Sequence, residues 1–429
     1  MKKTSILTIL FVFLSVVGFS QTLYDLKWTH RGTEFSGLMV FFNEDDIYMR
    51  TGYEEDGLYN VVHTEYHYSL DEEMGDFVFM EALKTTFIQD EGANAEDVVH
   101  FMWVTDEDGE MSGPFAITQY ELENNAMEEL VEVVLTELNP ADLTPTYLSQ
   151  YFLTDESEYE LLVASSHQEE YKPPVGSGPV NLHFVVVANT KIADIGASVK
   201  VDMDNLNGEL SGIAEVLKMN YKMTEVSGKD FTKPRLLEVL NELNPSSNDM
   251  VVFYYSGHGF RYNKEENMQY PQLDMRYNAY QEMGAETTIN LKDIYDVIQT
   301  KGGRLNIVLG DCCNNEIGTT RQVGTNFMAA RANVNANVEK LTSLFIHSKG
   351  NIIAAGADMG EYSWCSSQGG FFTNSFISAI REETSALRAN DVPSWDDIIT
   401  KSKTATRKKS DLCKECDEQN VIFEKSISQ

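Results

Sequence analysis

The sequence predicts an α/β protein: a mostly parallel sheet sandwiched by helices, preceded by a smaller α+β domain. In the second half of the chain, short apolar runs alternate with segments whose apolar residues recur at helical spacing. An alternation of strand and helix favours a parallel sheet that is covered on both faces. In the first half, strand-forming runs are separated by acidic turn segments instead.

Four strands and four helices are predicted in the second half. The strands are apolar throughout, as expected for strands buried on both faces, and cover residues 182–188, 250–255, 305–309 and 351–355. The helices cover residues 206–219, 233–243, 291–300 and 338–348. In the first half, residues 37–42 and 98–104 predict strands, and the spacing of apolar residues predicts a helix over 120–138. Functional groups in parallel sheets gather at the carboxyl ends of the strands, so those ends are where a site is expected.

The first residues have the pattern of a cleaved signal peptide. Lys2 and Lys3 precede an apolar run over 6–17, and small residues stand before Gln21. The run is shorter than the about 20 residues that a membrane-spanning helix needs. We therefore predict a signal peptide at 1–20, an N-terminal α+β domain of unknown role at 21–166, a linker rich in Pro, Gly and Ser at 167–179, and a second domain at 180–429. The protein is expected to be exported, to the periplasm or outside the cell.

The formal charge of −34 indicates which partners to expect. An acidic surface repels nucleic acid and anionic lipid, so we predict neither as a partner. The charge keeps an exported protein soluble and would also attract cationic substrates. Five cysteines in 429 residues are too few for a disulfide framework. The oligomeric state is left open.

Two motifs carry the chemistry. Ser256-Gly257-His258-Gly259 follows one predicted strand, and Asp311-Cys312-Cys313 follows a later one, so both belong to the same edge of the sheet. A thiolate is the nucleophilic form of cysteine, and a nearby imidazole can act as the base that generates it. His258 and Cys313 are 55 positions apart, close to the about 50 expected in caspase-type peptidases.

These motifs resemble those of the caspase and metacaspase group of cysteine peptidases. The resemblance extends from about residue 179 to the C-terminus, through segments near Asp194 and Thr232 and through 350–355, 361–363 and 369–373. It implies a caspase-like fold and a Cys/His dyad that forms a thioester. In the family the nucleophile stands two places after the aspartate, which selects Cys313. Adjacent strand residues point to opposite faces, so Cys312 is expected to be a packing residue, and Cys365 an inert core residue.

The resemblance also implies further roles. The main-chain N–H groups of Gly259 and Cys313 would stabilise the oxyanion. Asp311 and Asp202, with Ser256 lining the same pocket, would hold an Arg or Lys side chain of a protein or peptide substrate. Asp204 is the fallback for Asp202, and capping of the following helix is the structural alternative for both.

Two features depart from the metacaspase pattern, and a third, a pair of cysteines, lies outside it. Metacaspases usually continue with His-Ser-Gly after the nucleophile, whereas this chain has Asn314-Asn315-Glu316. Metacaspases also often need calcium, but the acidic residues after His258, such as Asp274 and Asp293, form no convincing loop of ligands. We predict no cofactor and leave calcium open. A single Cys413–Cys416 pair cannot complete a zinc site alone and is expected to form a local disulfide.

Two functions remain open from the sequence. The first is an endopeptidase that cleaves after Arg or Lys, with self-processing at Arg321 or Arg331 as a corollary. The second is a catalytically inactive caspase-like binding or interaction module, which the Asn314-Asn315 substitution favours. A phosphate-binding domain is disfavoured because no glycine-rich turn opens a helix after the first strand.

Overall fold

A computed structural model describes the chain over 22–43, 46–55, 58–69, 77–87, 98–105, 111–123, 131–138, 171–173, 178–262, 268–278, 280–316, 337–366, 369–384, 392–413 and 416–428. The chain forms two compact units, one of residues 1–168 with 385–389 and the other of 169–384 with 390–429. The predicted signal peptide, most of the predicted linker, Arg321 and Arg331 lie outside the described residues. In the ranges above, no helix has the length and apolar character needed to span a membrane.

The N-terminal unit is β-rich. Its described strands are β1 (Thr22–His30), β2 (Thr33–Asn43), β3 (Asp46–Glu55), β4 (Leu58–Ser69), β5 (Phe77–Phe87), β6 (Val99–Thr105), β7 (Met111–Thr118), β8 (Val131–Glu132) and β9 (Val134–Leu138). They form an antiparallel sheet in the order β8-β7-β6-β5-β4-β3-β2-β1-β9. In β1, the buried Tyr24, Leu26 and Trp28 alternate with more exposed residues, the period of two that gives a sheet one apolar face.

The helix predicted over 120–138 is wrong over 131–138, and residues 124–130 lie outside the described residues. The only helix in the described part of this unit is α1 (Gln119–Glu123), and the segments Val131–Glu132 and Val134–Leu138 are strands that pair with β7 and β1. Val131, Val133 and Val134 are β-branched and suit a pleated surface, and Val133 is buried. Pairing with two strands therefore overrides the helical spacing of apolar residues.

The C-terminal unit is built on a six-stranded sheet. Its described strands are β10 (Asn181–Ala188), β11 (Asn220–Ser227), β12 (Met250–Ser256), β13 (Gly259–Phe260), β14 (Gln272–Asp274), β15 (Thr288–Asn290), β16 (Leu305–Asp311), β17 (Lys349–Ala355), β18 (Cys365–Ser366), β19 (Gly369–Gly370) and β20 (Ile422–Ser428). The main sheet has the order β11-β10-β12-β16-β17-β20. All neighbours in it are parallel except β17 and β20, so the sheet is mostly parallel, as predicted.

Helices cover both faces of this sheet. They are α2 (Gly196–Val216), α3 (Lys233–Glu242), α4 (Leu291–Thr300), α5 (Val338–Leu341), α6 (Phe371–Thr384) and α7 (Trp395–Leu412), with a π-helical turn at Thr342–His347. Phe184 and Val186 of β10 belong to the core under α2 and α6, whereas Val185 and Val187 belong to the core under α3 and α4. Alternate residues of one strand thus enter opposite cores, which explains the apolar runs in the sequence.

The predicted elements of this unit agree with the structure, except at one helix start. The four predicted strands lie within β10, β12, β16 and β17, and the predicted helix 291–300 coincides with α4. Helix α2 begins at Gly196, ten residues before its predicted start, because polar residues such as Lys200 and Asp204 interrupt the apolar pattern. Helix α7 and the strands β11, β13, β14, β15, β18, β19 and β20 were not predicted.

A buried ion pair joins two helices that carry site residues. The guanidinium of Arg381 on α6 binds the carboxylate of Glu209 on α2 at 2.7–2.8 Å, and both side chains are almost fully buried. Removing one partner of such a pair leaves an uncompensated buried charge, at a cost of about 3–5 kcal/mol. The pair therefore fixes α2 against α6.

Asp249 ties together the amino ends of the parallel strands, the edge opposite the carboxyl ends. Its carboxylate accepts hydrogen bonds from the Asn181 N–H at 3.0 Å, the Asn181 side chain at 2.8 Å and the Ser246 N–H at 2.8 Å. Burial opposes ionisation of Asp249, but these donors outweigh it and lower the pKa from 3.8 to about 2. Because the folded pKa lies below the unfolded one, the stabilisation is present above about pH 4 and is lost as the pH falls towards 2.

We predict that Asp249→Asn lowers the free energy of unfolding by about 2 kcal/mol at pH 7, since each pKa unit corresponds to about 1.4 kcal/mol. Urea unfolding of both proteins between pH 3 and pH 7 measures the difference, which should be constant above about pH 5 and shrink below pH 4. Asp296→Asn is the control, because Asp296 forms an exposed ion pair with Lys292. A difference that does not change with pH would contradict the assignment.

Candidate active site

The site lies where β12 and β16 end. These strands are parallel neighbours with Ser256 opposite Asp311, and the N–H of Gly257 still reaches the carbonyl of Asp311 at 3.5 Å. His258 and Cys313 each stand two residues beyond this last pair. Neighbouring residues in register share a face, and so do residues two apart on one strand. The pairing thus brings the two motifs to one rim of the sheet.

Gly259 allows the two chains to approach closely. A Cβ atom at this position would lie 2.4 Å from the Cys313 carbonyl oxygen and 2.6 Å from the Cys312 Sγ, so no larger residue fits. The N–H of Arg261 then donates to the Asn315 carbonyl at 2.8 Å. The segment after His258 therefore runs directly along the segment that carries both cysteines.

The three cysteines of this domain outside the disulfide differ in environment. Cys313 is 4% exposed, and its Sγ lies 3.4 Å from the Ser363 N–H and 3.8 Å from the Ser363 carbonyl. The sulfur thus accepts from the N–H and donates to the carbonyl of the same residue. Cys312 is buried in the core under α3 and α4, and Cys365 in the core under α2 and α6. Both were predicted to be packing residues, and this is confirmed.

The backbone and the ring of His258 are both held. Its carbonyl accepts from the Tyr255 hydroxyl at 2.6 Å and from the Asp274 N–H at 3.0 Å. Its Nε2 lies 3.0 Å from Oδ2 of Asp194, in the loop between β10 and α2, and 22% of the His258 side chain is exposed. The sequence placed Asp194 only within the family resemblance and gave it no contact with His258.

The structure brings Asp202, Ser256 and Asp311 together. The Ser256 hydroxyl donates to Asp202 Oδ2 at 2.7 Å, and the Gly370 N–H donates to Asp202 Oδ1 at 2.6 Å. All three side chains are completely buried. Asp202 lies inside α2 rather than before it, so helix capping does not explain it. Asp204, the fallback, is 55% exposed and pairs with Lys200 at 2.6 Å, so it does not belong to this cluster.

Two hydroxyl residues that were not predicted complete the cluster around Asp311. The Ser363 hydroxyl donates to Oδ1 at 2.6 Å, and Thr373 donates its N–H at 3.0 Å and its hydroxyl at 2.6 Å to Oδ2. Thr373 also shares a 2.6 Å hydrogen bond with the Tyr254 hydroxyl. Burial raises the pKa of Tyr254 well above its usual value, and the charges of Asp202 and Asp311 raise it further. Asp202 and Asp311 are therefore both close enough to Tyr254 for their charges to raise its pKa.

Strand β19 covers the two carboxylates. A Cβ atom on Gly370 would lie 2.0 Å from Asp311 Oδ2, and one on Gly369 would lie 2.3 Å from Asp202 Oδ1. Gly369 also has a φ of +106°, a backbone conformation that other residues rarely adopt. The two glycines are thus required for the backbone to lie against both carboxylates.

The segment that follows α7 contacts residues that belong to the cluster or lie next to it. The completely buried Gln419 donates to the Ser363 hydroxyl at 3.0 Å and accepts from the Trp364 N–H at 2.9 Å. Cys413 and Cys416 form the local disulfide that was predicted, and Cys413 packs against Trp364. This segment therefore holds Ser363, which contacts both the Cys313 sulfur and Asp311.

Asn314, the main departure from the family pattern, has a structural role. Its side chain is buried and donates to the carbonyls of Gln269 at 2.8 Å and Ala357 at 3.4 Å. Its backbone N–H donates to the Glu361 carbonyl at 3.0 Å. The amide thus joins loops on either side of the cysteine segment.

In the described part of the chain, no group of three or more His, Cys, Asp or Glu residues is placed to hold a metal ion. The carboxylate of Asp274, one of the acidic residues considered for calcium, is bound by the guanidinium of Arg276 at 2.7–3.1 Å. Nothing in the sequence pattern indicated the roles of Ser363, Thr373 and Gln419, because each acts through contacts with residues more than 50 positions away.

Residues 185–417, a little over half of the chain, match the family model of the caspase domain. The chain therefore belongs to the caspase-domain family, a family of cysteine peptidases. The resemblance inferred from the two motifs is confirmed, and so is the caspase-like α/β fold.

The search of solved structures matched protein GSU0716 from Geobacter sulfurreducens, whose crystal structure is similar over 58% of this chain and 94% of its own. The sequence identity is 11% and the TM-score is 0.33, and a likeness of this size carries no argument here. None of the curated protein sequences matches this chain.

Proposed function

We propose that this protein is a cysteine endopeptidase that cleaves after Arg or Lys, with Cys313 as nucleophile and His258 as base. The observation that carries the proposal is the parallel pairing of β12 with β16, in which the chain leaves both strands at one rim just before these residues. Membership in the caspase-domain family supports the same chemistry. With the predicted signal peptide, the substrates would be proteins or peptides met in the periplasm or outside the cell.

The reaction would proceed through a thioester. As the Cys313 proton passes to the His258 imidazole, Sγ bonds to the carbonyl carbon of the scissile peptide. The tetrahedral intermediate collapses by breaking the C–N bond, and the amine leaves with the proton from His258. Water then attacks the thioester and gives a proton to His258, and the C–S bond breaks to release the new carboxylate and restore the thiol. The N–H groups of Gly259 and Cys313 are the proposed donors to the oxyanion.

The preference for a basic side chain rests on Asp202 and Asp311. These two carboxylates are completely buried, their charges both act on Tyr254, and the hydrogen bonds described for them come from neutral donors. An Arg guanidinium would bring a positive charge and donate two hydrogen bonds in a bidentate geometry. A Lys ammonium would bring the same charge as a single point, without that geometry. Since both carboxylates are completely buried beneath Gly369 and Gly370, substrate entry requires this segment to move.

One observation favours the alternative, a caspase-like module without catalytic activity. Both proposed specificity carboxylates are fully buried, and Cys313 is only 4% exposed, so the site as it stands is closed to a substrate. In this alternative the rim would serve as a binding surface and its thiol would not react.

Activity of the two cysteine variants separates these functions. We predict that Cys313→Ala abolishes hydrolysis of arginine-containing peptides, whereas Cys312→Ala, a change in a core residue, retains it. Because a competent site needs a reactive thiolate, an alkylating reagent should label the wild-type protein on Cys313, as identified by mass spectrometry of the digested protein. The proposal would be contradicted if Cys312→Ala lost activity while Cys313→Ala kept it. It would also be contradicted if the wild-type protein hydrolysed no peptide and its Cys313 did not react with the reagent.

Specificity can be tested with a matched pair of variants on α2. We predict that Asp202→Asn lowers kcat/KM for an arginine substrate about 100-fold, since a charge-assisted bidentate contact is worth about 3 kcal/mol. The control, Asp204→Asn, makes the same change at an exposed residue two positions along and should leave kcat/KM unchanged. The ratio of kcat/KM for arginine and norleucine substrates corrects for any general loss of folded protein. An unchanged ratio in Asp202→Asn would rule out this pocket.

A further inference from the structure

We propose that Asp194 is a positioning residue that orients the imidazole of His258 for reaction with Cys313. This inference rests on the proposed function and adds a third residue to its dyad. Its basis is the contact between Asp194 Oδ2 and His258 Nε2 at 3.0 Å.

Three adjacent parallel strands supply the three residues. Strand β10 pairs with β12, with Ala188 opposite Ser256, and the Asn189 N–H donates to the Ser256 carbonyl at 3.2 Å. Asp194 follows β10, His258 follows β12 and Cys313 follows β16, so the order across the rim is carboxylate, imidazole, thiol. The central strand carries the residue that must contact both neighbours.

The Asp194 carboxylate is fixed by its own loop. Its Oδ1 accepts from the Ile195 N–H at 3.0 Å, which leaves Oδ2 directed at His258. The loop is tight, because a Cβ atom on Gly196 would lie 2.8 Å from the Thr190 carbonyl oxygen. The carboxylate is therefore held in place before helix α2 begins.

The contact fixes the tautomer that the reaction requires. When Nε2 carries the proton and donates to Asp194, Nδ1 is the basic nitrogen that can accept the proton of Cys313. Once that proton is transferred, the carboxylate stabilises the imidazolium, as in other systems where an acid orients a catalytic histidine. Asp194 would thus favour the pair of thiolate and imidazolium over the neutral pair.

Other groups beside His258 must be considered in any test that varies pH. The neighbouring elements contribute Cys312 and Cys313 from the end of β16, Tyr255 from β12 and Asp274 from β14. The Tyr255 hydroxyl donates to the His258 carbonyl, and the Asp274 carboxylate is bound by Arg276. Asp194 contacts the ring itself, at Nε2.

The size of the effect follows from exposure. The Asp194 side chain is 44% exposed, so solvent screens its charge and its contribution is smaller than that of a buried orienting carboxylate. We expect Asp194→Asn to lower kcat for an arginine peptide about tenfold, with KM changed less than about twofold, because the loss lies in the chemical step.

The pH profile of kcat/KM distinguishes orientation from a merely structural role. Loss of the carboxylate destabilises the imidazolium, so the basic limb of the profile should move to lower pH in Asp194→Asn, and Asp194→Glu should restore part of the shift. Asp296→Asn, which removes the charge of an exposed ion pair on α4, should match the wild-type protein. A profile of Asp194→Asn that superimposes on the wild-type profile would overturn the inference.

A second measurement keeps failure of the inference distinct from failure of the proposed function. The rate at which iodoacetamide alkylates Cys313, followed by mass spectrometry at pH 7, reports the thiolate without any substrate. It should fall several-fold in Asp194→Asn and not in Asp296→Asn. If the wild-type protein hydrolyses no peptide but the alkylation rates differ as expected, the proposed function fails and the inference stands. Equal alkylation rates reject the inference alone.

Discussion

The parallel pairing of β12 with β16 is the interaction on which the rest of the site depends. The last pair in register, Ser256 and Asp311, sets the level at which both strands end, and the two motifs continue from there. Because side chains alternate along each strand, the same register directs Cys312 into one core and Asp311 towards the opposite layer of helices. A shift of one residue in this pairing would exchange the two cysteines.

Below this rim, the fold buries two carboxylates and compensates for them with neutral donors. Asp311 receives hydrogen bonds from Ser363 and Thr373, and Asp202 receives hydrogen bonds from Ser256 and Gly370. Each such bond to a charged acceptor contributes about 1.5–3 kcal/mol, and together these bonds offset the several kcal/mol that desolvating a carboxylate costs. The cluster is therefore stable while covered by β19 and would also offer a favourable environment to a cation that displaced this cover.

Much of this arrangement follows from sequence pattern, and the rest depends on contacts that pattern does not encode. Strands that are buried on both faces appear in the sequence as apolar runs, and such runs predicted β10, β12, β16 and β17. Edge strand β20 alternates exposed residues such as Glu424 with partly buried ones and leaves no such run. In the N-terminal unit, the valines from 131 to 134 fit both periodicities, and only their strand partners decide between them.

The same limit applies to the site. His258, Cys313 and the residues Asp202 and Asp311 stand in motifs with a family resemblance, so they could be named from the sequence. Asp194, Ser363 and Gln419 could not be assigned roles, because their importance lies in atoms that the fold brings within about 3 Å, the range of a hydrogen bond. Sequence pattern identified the proposed reactive groups, and the structure identifies what holds them.

The most direct test of the account is a crystal structure of the protein inactivated by a peptidyl-arginine chloromethyl ketone. The account predicts a covalent bond from the inhibitor to Cys313 Sγ, with the guanidinium bound by the carboxylates of Asp202 and Asp311 and the Gly369–Gly370 segment displaced. An inhibitor attached to Cys312, or a guanidinium bound away from both carboxylates, would contradict it.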